Sequence, residues 1–146
     1  MRLLLQRVGR AEVRIAGREP AVIGPGLVVL LGIGPEDDEA VCRRMAEKTA
    51  NLRIFSNDEG RFDRSLLDVR GEALVVSQFT LYGDCRKGRR PDFTGAMPPD
   101  RAEPLYRTYA AELTRLGVGV KTGEFGAKMD VELVNDGPVT LWLDSR

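Results

Sequence analysis

Residues 3–15 alternate, and that alternation constrains the fold more than any other feature. Leu3, Leu5, Arg7, Gly9, Ala11, Val13 and Ile15 fall on one side of a period-two pattern. Arg2, Leu4, Gln6, Val8, Arg10, Glu12 and Arg14 fall on the other. A mostly apolar side at period two over this span predicts one long strand with a half-buried face. Arg7 breaks the rule, because its side is otherwise apolar. An inward guanidinium needs a carboxylate or backbone carbonyls to receive its N–H groups. A bulge near Gly9 that turns Arg7 outward is the competing reading.

The remaining chain supplies more strands and two helices. Ala21-Val22-Ile23 reads as a short strand, Gly24-Pro25-Gly26 as a turn and Leu27 to Ile33 as a buried strand. Asp37 or Asp38 is placed to cap a helix, and Val41, Met45, Thr49 and Leu52 form its apolar stripe. Cys42 lies beside that stripe. Ser56 to Gly60 is a turn cluster, and Ala73 to Leu81 reads as a strand. Residues 83–99 lack periodicity and read as a long irregular segment, a length often used for function. Asp100 and Glu103 have the spacing of a capping box. Leu105, Tyr109, Leu113 and Leu116 form a second stripe ended by Gly117. Strands are expected at Val118–Thr122, Met129–Val134 and Val139–Leu143, with a sharp Asn135-Asp136-Gly137-Pro138 turn before the last. The order β-β-β-α-β-α-β-β-β shows no internal repeat and no linker. It predicts a single α+β domain over residues 1–146, a curved, barrel-like, mainly antiparallel sheet covered by two helices.

Absent residues narrow the chemistry. The chain of 146 residues contains no histidine. Ser-His and Cys-His nucleophile pairs, HExxH zinc sites and imidazole bases are therefore excluded. Cys42 and Cys85 form no CxxC, so neither a zinc centre nor any other metal site or cofactor is expected. With 22 Lys plus Arg against 22 Asp plus Glu, any polyanion contact must be local. The longest apolar run, Leu27 to Leu31, is too short to span a bilayer. The first seven residues reach charge before a signal-peptide core could form, which makes the cytoplasm the expected compartment and a membrane partner unexpected.

Three segments are candidates for function. Ser77-Gln78-Phe79-Thr80, at the end of an apolar strand, either line a pocket rim or are ordinary strand residues. Arg86-Lys87-Gly88-Arg89-Arg90 concentrate four cations, for phosphate contact or as a solvated loop. Gly137-Pro138 is a plain turn or a built feature, X-Pro being the one bond type with a realistic cis population.

Together, in this order and spacing, these segments resemble the D-aminoacyl-tRNA deacylases. The resemblance spans essentially the whole chain. It includes Met1-Arg2 with Gln6-Arg7-Val8, Asn51 to Phe55, Ser77 to Tyr82, Arg86 to Pro91 with Phe93-Thr94-Gly95, Ala102 to Tyr106, Thr122 to Met129 and Asn135 to Thr140. It implies a cytoplasmic homodimer that hydrolyses the ester of a D-amino acid on tRNA, or of glycine mischarged on tRNA-Ala. It places the catalytic segment on Ser77, Gln78, Phe79 and Thr80. Substrate and chirality recognition fall on Gly137, Pro138, Phe125 and Met129. The Gly-cisPro turn of one subunit would enter the partner's pocket, with Arg7 steadying it, and Arg86, Lys87, Arg89 and Arg90 would hold tRNA. Two other readings stay open: a non-catalytic tRNA-binding module, and a related deacylase for a small mischarged L-amino acid.

Overall fold

The long alternating segment is the spine of the sheet. In a computed structural model describing residues 1–146, β1 spans Arg2–Arg14. It is followed by β2 (Ala21–Ile23), β3 (Gly26–Gly32), α1 (Glu39–Asn51), β4 (Phe55–Ser56) and β5 (Phe62–Arg64). Then come β6 (Glu72–Ser77), a 3-10 helix (Phe79–Tyr82), α2 (Pro99–Arg115), β7 (Gly119–Thr122) and β8 (Asp130–Asp144). The main sheet runs β2-β1-β3-β6-β7, and β8 pairs the other edge of β1. Pairings of β1 with β2, β3 and β8 are antiparallel; β3–β6 and β6–β7 are parallel. The sheet is nearly closed and barrel-like, with two helices, as the sequence predicts. Its parallel half follows from the crossovers through α1 and α2, which return the chain to the same end of the sheet.

Period two sorts the sheet's side chains into two cores. Leu27, Val29, Ala73 and Val75 point into the larger one, beneath α1 and α2, together with Leu3 and Leu5. Val28, Leu74 and Val76 point into the smaller one. β3 is buried on both faces because one packs into the larger core and the other into the smaller, which explains its uninterrupted apolar run. Each fully buried Leu or Val there contributes roughly 1.5–3 kcal/mol. The helices meet through a buried polar pair, in which the Tyr109 hydroxyl donates to Thr49 Oγ1 at 2.8 Å. Asp38 is the α1 cap, accepting from the Val41 amide at 2.8 Å.

β1 crosses from one core to the other, and the crossing is a bulge. Val8 pairs with Asn135 and Arg10 with Val134, so Gly9 is one residue more than β8 supplies. A one-residue insertion flips every later side chain to the opposite face. Leu3 and Leu5 thus join the large core, whereas Ala11 and Val13 join the small one. The bulge does not turn Arg7 outward; Arg7 is 8 % exposed.

Four expectations are corrected. β6 ends at Ser77, and the chain turns into the 3-10 helix instead of extending to Leu81. Its partner β3 ends at Gly32, so no ladder remains beyond the bond from the Gln78 amide to the Leu31 carbonyl. The turn is compact because Tyr82 folds back on Gly34, where a Cβ would lie 2.6 Å from the Tyr82 hydroxyl oxygen. Second, the Asp100/Glu103 capping box is absent. The helix starts two residues earlier, with Pro98 as its N-cap and Pro99 in its first turn, and Glu103 pairs with Arg107 instead. Proline fits there because the first helical N–H has no partner in any case. Third, β4 and β5 form a small hairpin where only a turn was expected. Fourth, the two final strands are one. β8 pairs β1 through Asp144, with Gln6 opposite Thr140 and Val8 opposite Asn135. Residues 136–139 loop out opposite Arg7 alone, and the Gly137–Pro138 bond within this excursion is cis.

Candidate active site

A cavity of about 760 Å³ opens beside the end of β6. Ser77, Gln78 and Phe79 form one side. Phe93, Thr94 and Met97 of the irregular segment form a second, and Phe125, Ala127 and Met129 after β7 form a third. Leu31 and Val76 line it from the sheet. Its size and mostly apolar lining suit a small organic group. The Phe79 ring meets Phe93 edge-on at 5.1 Å between centroids and is 57 % exposed at the rim. Phe125 packs against Tyr106 at 5.7 Å, and the Tyr106 hydroxyl donates to the Val75 carbonyl at 2.9 Å. The loop after β7 closes tightly because Gly123 lies directly against Met129 Sδ.

The 3-10 helix supplies the polar groups. Its Leu81 amide bonds the Gln78 carbonyl. The amides of Phe79 and Thr80 precede that bond and have no acceptor within the helix. Two free N–H groups at a helix start are suited to a developing negative charge. Thr80 does not line the cavity. Its Oγ1 accepts from the Gln78 side-chain amide, and it is exposed. An amide is no base, so nothing in this geometry activates the Thr80 hydroxyl as a nucleophile.

The other predicted residues divide into two groups. Arg7, Gly137 and Pro138 do not reach this cavity within the chain. Arg7 faces the 136–139 excursion. Its Nη1 donates to the Ile54 carbonyl at 2.7 Å and its Nε to the Asp136 carbonyl at 3.2 Å. Its Nε also lies 3.1 Å from Asp136 Oδ2. These are the carbonyl and carboxylate partners that an inward arginine requires. On the excursion itself, Asn135 Oδ1 accepts from the Val139 amide at 3.1 Å. Gly137 has φ +125°, and a Cβ there would meet Val139 and Arg7 Nη2.

The basic loop is a separate excursion closed by an Asp84–Asp92 bridge. Arg86 is neutralised locally, with its Nη2 2.6 Å from Asp84 Oδ2. That pairing holds the Asp84 carboxyl down to about 2. Lys87, Arg89 and Arg90 are exposed and form no ion pair, so three of the four cations are free. Arg86 borders a second, polar cavity with Arg2, Tyr82 and Cys85. Cys42 is buried and Cys85 exposed. No three His, Cys, Asp or Glu side chains converge in a way that could hold a metal ion.

Sequence reading missed Met97 as a cavity wall, Asp136 as the partner of Arg7, and the β4–β5 hairpin. Residues brought together by loops leave no periodic signal.

Comparison with known proteins places the chain in a family. Residues 4–144 match the family model described as D-Tyr-tRNA(Tyr) deacylase. The chain belongs to the D-Tyr-tRNA(Tyr) deacylase family. It is 62 % identical over 145 residues to the D-aminoacyl-tRNA deacylase of Roseiflexus sp. (strain RS-1), covering 99 % of this chain and 94 % of that one. It is 56 % identical to the D-aminoacyl-tRNA deacylase of Thermus aquaticus, covering 99 % and 95 %. Among solved structures, the c-Myc DNA Unwinding Element Binding Protein superposes with a TM-score of 0.93 at 42 % identity, over 100 % of this chain and 99 % of that one. A probable eukaryotic D-amino acid tRNA deacylase shares the fold at 18 % identity, with a TM-score of 0.82 over 97 % of each chain. The matched residues include every segment that carried the resemblance except Met1-Arg2, from Gln6-Arg7-Val8 through Asn135 to Thr140.

Proposed function

We propose that the protein hydrolyses the ester bond of D-aminoacyl-tRNA, releasing free tRNA and the D-amino acid, as a chirality check on translation in the cytoplasm. The observation that carries this reading, beside the family, is the Ser77–Thr80 segment at the cavity, with two amides free of helical partners. An aminoacyl ester is already activated, so the site needs to hold it, bind the oxyanion and admit water. The Phe79 and Thr80 amides serve as oxyanion donors. The ribose 2′-OH beside the ester relays the proton, which suits a chain with no histidine. No helix is long and apolar enough to cross a membrane.

The working unit in this reading is a homodimer. One side of β8 is hydrogen-bonded to β1, and no strand pairs its other edge. Val134 and Trp142 on β8 are exposed. The cavity of one chain has no Gly137 or Pro138 carbonyl on its wall. A partner's 136–139 excursion would supply them as acceptors for the substrate α-ammonium. With ammonium and ester both held, a D side chain points to solvent and an L side chain meets the wall. Glycine has no side chain to reject and is cleaved too. Lys87, Arg89 and Arg90 contact tRNA phosphates.

A second reading is nucleic-acid binding without catalysis. The free cations of the basic loop favour it. Release assays on D-Tyr-tRNA, L-Tyr-tRNA and Gly-tRNA decide. Cleavage of the D and glycyl esters with the L ester spared is expected. Binding without release of the D ester would establish the second reading, and release of the L ester would refute the chirality model.

A further inference from the structure

We infer that Phe62 is a positioning residue, clamping Arg7 against the 136–139 excursion. The inference rests on the reading in which that excursion presents carbonyls to substrate. Phe62 is 56 % exposed, yet its ring lies against the buried Arg7 side chain. The Arg7 guanidinium carbon lies 5.5 Å from the centre of that ring. Arg7 is thereby held among three groups: the Phe62 ring, the Ile54 carbonyl and Asp136. Ile54 directly precedes β4 and Phe62 opens β5, so both are placed by the β4–β5 hairpin, which sits outside the main sheet.

The hairpin is built to hold its ring still. A two-stranded ribbon alone is marginal in water. This one is tied by Asn57 Oδ1, which accepts from the Glu59 and Arg61 amides at 2.9 and 3.0 Å. Arg53 Nε donates to the Asp63 carbonyl at 2.6 Å, and Arg64 Nη2 lies 2.9 Å from Asp58 Oδ1. Phe55 anchors the base in the large core. Such tethering positions Phe62 while leaving its ring accessible. A cation over an aromatic face is attracted to it, more strongly as water is excluded. The ring therefore restrains the guanidinium, and the guanidinium holds the Asp136 carbonyl that begins the excursion.

The test reads Val139, whose amide bond to Asn135 Oδ1 reports the excursion's order. Phe62→Ala should speed hydrogen exchange at Val139 about tenfold and leave the β3 amides unchanged, with Phe62→Tyr restoring protection. In deacylation of D-Tyr-tRNA, Phe62→Ala should lower kcat about tenfold with KM unchanged, and Phe62→Tyr should recover it. Phe62→Leu, which keeps apolar cover without the ring, should behave like Phe62→Ala. Unchanged Val139 exchange in Phe62→Ala overturns the clamp, whatever the activity. Faster exchange with unchanged kcat in an active enzyme overturns its role in positioning. A wild-type protein inactive on D-Tyr-tRNA would defeat the proposed function, and the exchange measurement would still decide the clamp.

Discussion

Replacing Arg7 by alanine should remove a buried charged donor from β1 and destabilise the fold. The side chain is 9 % exposed and makes two hydrogen bonds to carbonyls, at Ile54 and Asp136. Hydrogen bonds involving a charged group are worth about 1.5–3 kcal/mol each. The ion pair with Asp136 adds little, because that carboxylate is 60 % exposed and water screens it. The bond to Ile54 counts most, since its carbonyl is buried and would be left without a donor. Arg7→Ala should therefore destabilise the fold by roughly 3 kcal/mol, with about 5 kcal/mol as an upper bound. For a chain of this size that is a fall of about 6–12 °C in Tm. Arg7→Lys keeps the charge but offers a single ammonium to two diverging carbonyls, so it should lose about half as much. Thermal unfolding by circular dichroism and guanidinium titration measure both variants. A shift below about 2 °C for Arg7→Ala would refute the reasoning, because a buried carbonyl cannot lose its only charged donor at no cost.

Three further outcomes are expected. Thr80→Ala should keep deacylation within about tenfold of wild type, about 1.4 kcal/mol of barrier, because no base faces its hydroxyl; an acyl-threonine intermediate trapped by mass spectrometry would contradict this. Replacing Arg89 and Arg90 by alanine should raise KM for aminoacyl-tRNA and flatten its dependence on salt, with kcat at saturation preserved; an unaltered salt slope would assign the loop another role. Stability should fall at alkaline pH. Burial pushes the Cys42 thiol and the Tyr82 and Tyr106 hydroxyls up to about 12, from ordinary values of 9.0 and 10.0. Above those ordinary values the unfolded chain has lost protons that the folded chain keeps, so the stabilisation is complete below about pH 9 and is lost toward pH 12. Guanidinium midpoints measured from pH 7 to 11 that stay level would refute this assignment.

Local pattern made much of the architecture legible. Period two in residues 3–15 pointed to β1, and the stripes of Val41-Met45-Thr49-Leu52 and Leu105-Tyr109-Leu113-Leu116 pointed to α1 and α2, each running one position past the helix end. These signals are local because burial on one face repeats with the element's own period. The missing histidine bounded the chemistry, and the motif order identified the family. Arg7 was legible as a cation on an apolar strand side that would need acceptors if it pointed inward, and its burial decided against an outward turn at the bulge.

What the acceptors were, only the folded chain decided. Ile54 and Asp136 lie 47 and 129 positions from Arg7 and meet it through the β4–β5 hairpin and a four-residue excursion of β8. The strand expected through Leu81 stopped at Ser77 because β3 ran out of backbone to pair it, a fact of register and not of propensity. That stop creates the free amides of Phe79 and Thr80. The same tertiary contacts set Phe93, Phe125 and Met129 around one cavity from three separate segments. A sequence records which side chains prefer burial. Which distant backbone groups face one another depends on where each ladder ends, and that is settled only when the sheet closes.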